Sequence, residues 1–522
     1  MKKISFLLIF ALLLLGSCNK AAREQLASLQ EQKSTMESQT AQLPSAGEPD
    51  VRQEVTIEFE NDFYGIDAGG SVSLHYTLSR PATLETVASG TWNVSIEASS
   101  ETEGDIVVSA PDPAQPEQLV VEADFASGAV SSFILPVMLR RPYTDASSPR
   151  LEAMAYYGFH DHIATAENFR KLAEAGITMI TVEQINDWPL HLRLAEEAGI
   201  KVVFFINWYA RMYENDPVHY KGLDEIVNEA KKYPALYAYQ IQDEPSALEI
   251  PTLNISKSHI EELDPDHPVY INLHSAEVSM AATMTATYEQ YIRYFTYGCN
   301  VQFLTFDEYP VYETGVHDAW YQSLETVRDV TREAEIPFWA FSLCCREGLR
   351  ADPSVENLRL QGNINIAYGA QCIQYFVWMA TTGTNYAPIM PDGTYTTAYD
   401  KCKAYNRELH NREFIFADAD VWKVRHTGIS SYKHGTYLEP GELPAAIGDM
   451  AVGGDALVSF VSNNGSEYVA VCNKSWKEKL PVDITFAESV FTIDREGAFA
   501  EHLPGAEHFV IDEGDMLVIK WK

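Results

Sequence analysis

Two pairs of adjacent acids carry the chemistry open to this sequence. Asp243-Glu244 closes the run Ala235-Leu-Tyr-Ala-Tyr-Gln-Ile-Gln-Asp-Glu-Pro-Ser246, and Asp307-Glu308 lies within Val301-Gln-Phe-Leu-Thr-Phe-Asp-Glu-Tyr-Pro310. Both runs are apolar and strand-like. Pro245 ends the first because proline has no N–H for a sheet ladder, and Ser246 can then start a helix. Carboxylates delivered from two different strands can divide proton donation from base or nucleophile work. The competing account is an acidic turn that caps the following helix.

Such acids need strands that converge, and residues 150–415 supply the pattern. Apolar runs alternate with amphipathic helical segments: Ala153 to Phe159, Met179 to Glu183, Val202 to Trp208, Leu236 to Gln242, Val269 to His274, Val301 to Asp307, Phe338 to Leu343 and Ile373 to Trp378. Eight strand–helix units over this length predict a (β/α)8 TIM barrel, whose active sites sit at the C-terminal strand tips. An open doubly wound sheet is the alternative, but no Gly-rich phosphate loop follows any of the runs.

Side chains alternate across a strand, so each tip residue can be given a face by counting. In the fourth run Tyr237, Tyr239 and Ile241 fall on the helix side, while Gln240, Gln242 and Glu244 point into the mouth with Asp243 beside them. In the sixth, Leu304 and Phe306 face the helices, and Phe303, Thr305 and Asp307 face inward. The same count ends the second run on Glu183, the third on Asn207, the fifth on Asn272 and His274, and the eighth on Trp378. Trp188, Trp208, Tyr309 and Trp320 add aromatic surface nearby. A sugar presents hydroxyls in its ring plane and C–H faces above it, so carboxylates, amides and flat aromatics are what a glycan cleft needs. The expected catalytic set is Glu244, Asp307, Glu308 and Asp243; the expected substrate-binding set is Glu183, Asn207, Trp208, Asn272, His274, Tyr309 and Trp378. In each version of the chemistry Glu244 is to hold a proton near neutral pH, its pKa raised by burial and by Asp243.

The barrel is similar in layout to the clan-A glycoside hydrolases, in which an acid/base Glu ends the fourth strand and a nucleophile Glu ends the seventh. That resemblance implies hydrolysis of a poly- or oligosaccharide without a cofactor, with Glu244 as acid/base. Phe306-Asp-Glu-Tyr-Pro310 resembles the sixth-strand tip of those enzymes, and Trp378 the eighth-strand Trp that floors the sugar site. Pro337-Phe-Trp-Ala-Phe-Ser342 departs from them, placing Ser342 where the nucleophile is expected and leaving Glu347 as the nearest acid. Three mechanisms follow: Glu244 with a second carboxylate from Asp307 or Glu308, which is favoured; an Asp243-Glu244 pair resembling that of the hexosaminidases; or Glu347 folding back as nucleophile. A non-catalytic glycan-binding lipoprotein is the alternative function, and Ser342 is its support.

Flanking text is all-β. Residues 53–145 contain alternating runs such as Ser71-Val-Ser-Leu-His-Tyr-Thr-Leu78, and residues 416–522 contain Ala456 to Val461 and Glu467 to Cys472; each predicts an immunoglobulin-like β-sandwich. Residues 1–18, with Lys2-Lys3, the apolar run Ile4 to Leu15 and then Gly-Ser-Cys18, resemble a lipoprotein signal whose Cys18 is lipidated. That implies a lipid anchor at the bacterial cell envelope. Residues 19–52 read as a tether; Leu29, Met36 and Leu43 keep a seven-residue spacing that offers an oligomer contact through 22–43, although Lys33 and Thr40 spoil the second seam position.

The 522 residues carry a formal net charge of −36, which excludes nucleic acid as a partner because phosphate contacts need Lys and Arg. Cys299, Cys344, Cys345, Cys372, Cys402 and Cys472 form no ligand spacing and are expected as buried thiols, with no structural metal. His160 and His162 pair at the first strand's tip and are read as solvated.

Overall fold

The structure is a computed structural model, and it describes residues 56–60, 64–66, 68–87, 91–112, 119–124, 130–139, 150–428, 432 and 435–522. Cys18, the tether and the 22–43 heptads lie outside them. Eight parallel strands form a closed barrel: Glu152–Ala155, Met179–Glu183, Lys201–Phe205, Leu236–Asp243, Val269–Leu273, Leu304–Phe306, Phe338–Leu343 and Cys372–Phe376. The ring closes where the first strand pairs with the eighth.

Alternation along each strand sorts side chains into two clusters. Met154, Val203, Phe303, Trp339 and Phe341 fill the barrel interior, while Ala153, Val202, Phe204, Leu304 and Ala340 face the helices. The interior is aromatic, with Phe303 stacked on Trp339 at 4.2 Å. Its polar atoms pair with one another: Gln240 donates to the Tyr156 hydroxyl at 3.0 Å, Tyr270 donates to Gln374 at 2.7 Å, and Gln374 donates to Thr305 at 2.6 Å. These bonds tie the interior side chains of several strands together beneath the mouth, although Gln240 Oε1 has no partner among the described residues.

Five strands are shorter than their apolar runs, the fifth by one residue, since it ends at Leu273. The third stops at Phe205, and Asn207 and Trp208 instead open the helix Asn207–Asn215. The first stops at Ala155, the sixth begins only at Leu304, and the eighth ends at Phe376 rather than Trp378.

Both flanking regions are two-sheet β domains. At the N-terminal side a four-stranded antiparallel sheet (Ile57–Phe59, Ser71–Leu78, Glu103–Ser109, Asn93–Ala98) faces a three-stranded one, around Leu74, Ile106 and Val108 from the first and Leu84 and Val121 from the second. At the C-terminal side a six-stranded sheet uses both of its faces. Val458, Phe460, Val469 and Val471 pack inward on a three-stranded partner, while Leu457, Val461, Ala470 and Cys472 join the barrel's outer cluster. Ser459 lies on that second face and donates to the Ala367 carbonyl at 2.6 Å. Burial is worth roughly 1.5–3 kcal/mol for each large apolar side chain, so this shared face fastens the domain to the barrel. All six described cysteines are buried free thiols. Among the described residues no helix is long and apolar enough to cross a membrane.

Candidate active site

The fourth strand reaches the mouth through two irregularities. Its register shifts against the third strand between Val202 and Val203, and against the fifth between Gln240 and Gln242. The first shift turns Tyr237 into the interior, 5.7 Å from Trp339, contrary to the simple count that placed it against the helices. Tyr239 then points outward and donates to Asp264 at 2.7 Å, and Gln240 points inward. Beyond the second shift Asp243 accepts a 3.0 Å hydrogen bond from the Asn272 amide, and Glu244 follows with φ of +49°. That left-handed conformation is uncommon for a residue other than glycine. Bulges of this kind re-aim side chains, and here they bring both acids onto one cleft.

Neighbouring backbone holds the arrangement. The Glu244 amide donates to the Asn272 carbonyl at 2.9 Å. Tyr291 donates to the Pro245 carbonyl at 2.7 Å and accepts from the His274 amide at 3.3 Å, tying the fourth strand's end to the fifth's. Glu249, one turn on, accepts from the Ser246 amide at 2.7 Å, so the helix start is capped by Ser246 and Glu249, and Asp243 and Glu244 are left for the cleft.

The cleft has a volume of about 800 Å³, and Asp243, Glu244, Asn272, Asp307, Glu308 and Tyr309 line it. Glu244 and Asp307 stand close enough in it to influence each other's titration. Burial, followed by the charges of Glu244 and Asp243, pushes the Asp307 carboxyl far above the ordinary aspartate range. Glu244 goes the other way: His274, whose Nδ1 lies 3.3 Å from Oε1, holds its carboxyl below the usual glutamate range. His274 Nδ1 has no well-aligned hydrogen-bond partner among the described residues, so this contact is a close but imperfectly aligned one. The pair is thus pushed apart, Asp307 toward its protonated form and Glu244 toward its ionised one. This corrects the sequence expectation that Glu244 itself is the protonated member. Asp243 is also raised, by burial and then by Glu244, with the Asn272 hydrogen bond offsetting part of the effect.

Glu308 was expected as an alternative second carboxylate, but it turns aside. Its side chain is 3% exposed, Ser323 donates to its Oε2, and burial raises its pKa to about 8. Its nearest titrating neighbour is Glu277, outside the Glu244–Asp307 couple.

The remaining expected residues divide. Asn272, His274 and Tyr309 stand at the cleft, Tyr309 with its ring 5.1 Å from that of Phe376. Glu183 is partly buried at the second strand's end, its pKa raised by burial, and it is not among the cleft-lining residues. Asn207 and Trp208 belong to a helix, and Trp208 is 59% exposed away from the cleft. Trp378 is fully buried against Tyr375 and Tyr399 in the outer cluster, so it cannot floor a sugar site; Phe376 lines the cleft from the same strand. Trp188 and Trp320 likewise pack into the outer cluster. Ser342 is also turned outward, within 3.5 Å of Asn365, and it is Phe341 that faces the cleft from the seventh strand.

Several lining residues escaped the sequence reading. Tyr157 has φ of +52°, and its phenol pKa is raised by burial and then by Asp243, Glu183, Glu244 and Asp307, which places it amid the acids. Arg350 donates to Glu347 at 2.9 Å and to the Tyr309 carbonyl at 2.9 Å, with its guanidinium 5.3 Å over the Tyr309 ring. Glu347, which the sequence did offer as an acid that could fold back, lines the cleft through the pairing of Arg346–Glu347 with Thr384–Asn385. A charged loop after a strand is the only sequence signal these positions carry. His162, of the expected histidine pair, is bonded at 2.7 Å to the Pro391 carbonyl.

No family model and no curated protein matches the sequence. Solved structures with similarity include a GH2 β-galacturonidase from Eisenbergiella tayi bound to galacturonate, at 12% identity over 68% of this chain and 72% of that one, with a TM-score of 0.38. A β-galactosidase from the psychrophilic Marinomonas ef1 is similar at 10% identity over 50% of this chain, with a TM-score of 0.36, and the chain spans 60% of that enzyme's length. A Bacteroides ovatus GH5 xyloglucanase in complex with a XXXG heptasaccharide is similar at 11% identity over 67% of this chain and 99% of that one, with a TM-score of 0.34. At such TM-scores these likenesses bear on no residue's role, and the chemistry rests on the chain's own side chains.

Proposed function

We propose that this chain is a glycoside hydrolase acting on a poly- or oligosaccharide, with Glu244 and Asp307 as one proton-handling couple. The observation that carries the reading is that both acids line one cleft at the barrel mouth, Asp307 the more buried and held toward its protonated form, Glu244 exposed and held toward its ionised form beside His274. Glu244 is the member that meets substrate. The proton crosses from Asp307, Glu244 presents it to the glycosidic oxygen, and that oxygen keeps it as the C–O bond breaks. Tyr157 and Phe376, which line the cleft and are only half-buried, offer aromatic surface for the sugar ring.

With Asp307 engaged as the proton partner of Glu244, a second carboxylate is needed across the bond. Glu347 fits that part. It follows the seventh strand, three places round the ring from the fourth, and Arg350 fixes its carboxylate. A gap to Glu244 of about 5–5.5 Å makes it a nucleophile with retention, and about 6.5–9.5 Å makes it the base of an inverting enzyme.

The test is a polysaccharide and oligosaccharide panel with wild-type protein and Glu244→Gln, read by release of reducing ends. Turnover by the wild type and none by a folded Glu244→Gln is expected; equal rates sink the proposal. One observation favours a glycan-binding protein instead, the ionised state of Glu244 before substrate arrives. Retention on a glycan without any product would decide for it.

A further inference from the structure

We propose that Glu277, Glu308 and His317 form a binding site for a divalent transition cation, set in the wall of the cleft beside the acid couple. One ligand atom from each residue lies within 4.8 Å of the other two, close enough for a single ion to bridge all three. The three come from separate elements. Glu277 follows the fifth strand, Glu308 follows the sixth, and His317 follows the hairpin of Val311–Tyr312 and Gly315–Val316, where its amide donates to the Pro310 carbonyl at 2.9 Å.

Glu308 points most directly to a ligand. Its side chain is 3% exposed, yet Oε1 has no hydrogen-bond partner among the described residues. Unpaired buried carboxylate oxygen is costly, and a structure that keeps one invites a missing partner. The other oxygen is held deliberately. Ser323 donates to Oε2 while accepting from the Ala276 amide at 2.9 Å, which fixes the carboxylate beside Glu277 and His317 with Oε1 still unpartnered. Orientation of a ligand carboxylate by an outer hydrogen bond is a common feature of metal sites.

Donor chemistry narrows the ion. Two carboxylates and an imidazole suit Zn²⁺ or Mn²⁺ better than Ca²⁺, which takes six to eight oxygens. Glu277 and His317 already touch, so the ion enters by drawing each from the other. Three protein ligands leave at least one position open, and because Glu277 and Glu308 both line the cleft, that position faces it. Water or a sugar hydroxyl would complete the shell. The inference stands whether or not the neighbouring acids cleave glycans.

The experiment is calorimetric titration of the EDTA-stripped full chain with ZnCl2, then MnCl2, for the wild type, Glu308→Gln and His317→Ala. One ion per chain is expected, with affinity at least tenfold weaker in both variants and a melting temperature that rises on stoichiometric loading of the wild type alone. His317 is half-exposed on the rim, so its variant will fold even should Glu308→Gln fail to. No binding at millimolar metal, or wild-type affinity in His317→Ala, overturns the site.

Discussion

Asp307→Asn tests the acid couple through the stability of the fold as well as through turnover. The amide keeps the shape of the side chain, so only the titration is removed. In the wild type Asp307 retains its proton well above the ordinary aspartate range, because protein encloses it and Glu244 and Asp243 face it. An unfolded aspartate releases that proton near a pKa of about 3.9. A group whose folded pKa is raised costs nothing below its unfolded pKa. Above it, folding loses about 1.4 kcal/mol for every pH unit over which the folded chain still holds the proton.

The penalty is therefore absent near pH 4 and grows as pH rises until the folded pKa is reached. Asp307→Asn carries none of it, so its advantage over the wild type should be near zero at pH 4 and increase from pH 4 to pH 6, by at most about 1.4 kcal/mol per pH unit. Urea unfolding at pH 4, 5 and 6 in buffer containing EDTA, with equal slopes for the two proteins, reads the difference directly. The same variant should lose glycan turnover. A stability difference that does not change with pH, or a variant less stable at pH 6, refutes the protonated Asp307 and the mechanism built on it.

Two further outcomes follow from other contacts. Asn272→Ala removes the 3.0 Å amide donor to Asp243 from a buried position and should cost about 1.5–3 kcal/mol at pH 7, as for a hydrogen bond to a charged group; urea midpoints check it, and no loss would mean that Asp243 does not depend on that amide. At the C-terminal domain Arg425 holds the Glu442 carboxyl down at about 2, so its stabilisation is present above the unfolded glutamate pKa of about 4.3 and lost as pH falls toward 2. Glu442→Gln should then destabilise by about 1 kcal/mol at pH 7 after solvent screening, and by nothing at pH 2, in thermal melts at the two pH values.

The barrel was legible in the sequence because each strand, buried on both faces, is a continuous apolar run, and because runs such as Met179–Glu183 and Phe338–Leu343 end where their hydrophobicity ends. What sits at the strand tips was less so, and the reason lies in the register. A period-two count holds only while every residue pairs, and the fourth strand gains an extra residue twice, so Tyr237 and Ala238 both face inward and Asp243 and Glu244 both reach the cleft. The count placed Glu244 at the mouth for the wrong reason, since the backbone turn at φ of +49° puts it there. A one-place error at the seventh strand had a larger effect. Aligning on the strand's end made Ser342 look like a lost nucleophile, whereas Ser342 faces Asn365 and the inward residue is Phe341. The serine therefore says nothing about activity. The acid on that side is Glu347, which reaches the cleft from a loop through a two-residue strand pairing and an arginine contact that no periodicity encodes. An alternation rule reads scaffolds well for the same reason that it misreads sites: the residues that do chemistry are placed by departures from regular pairing.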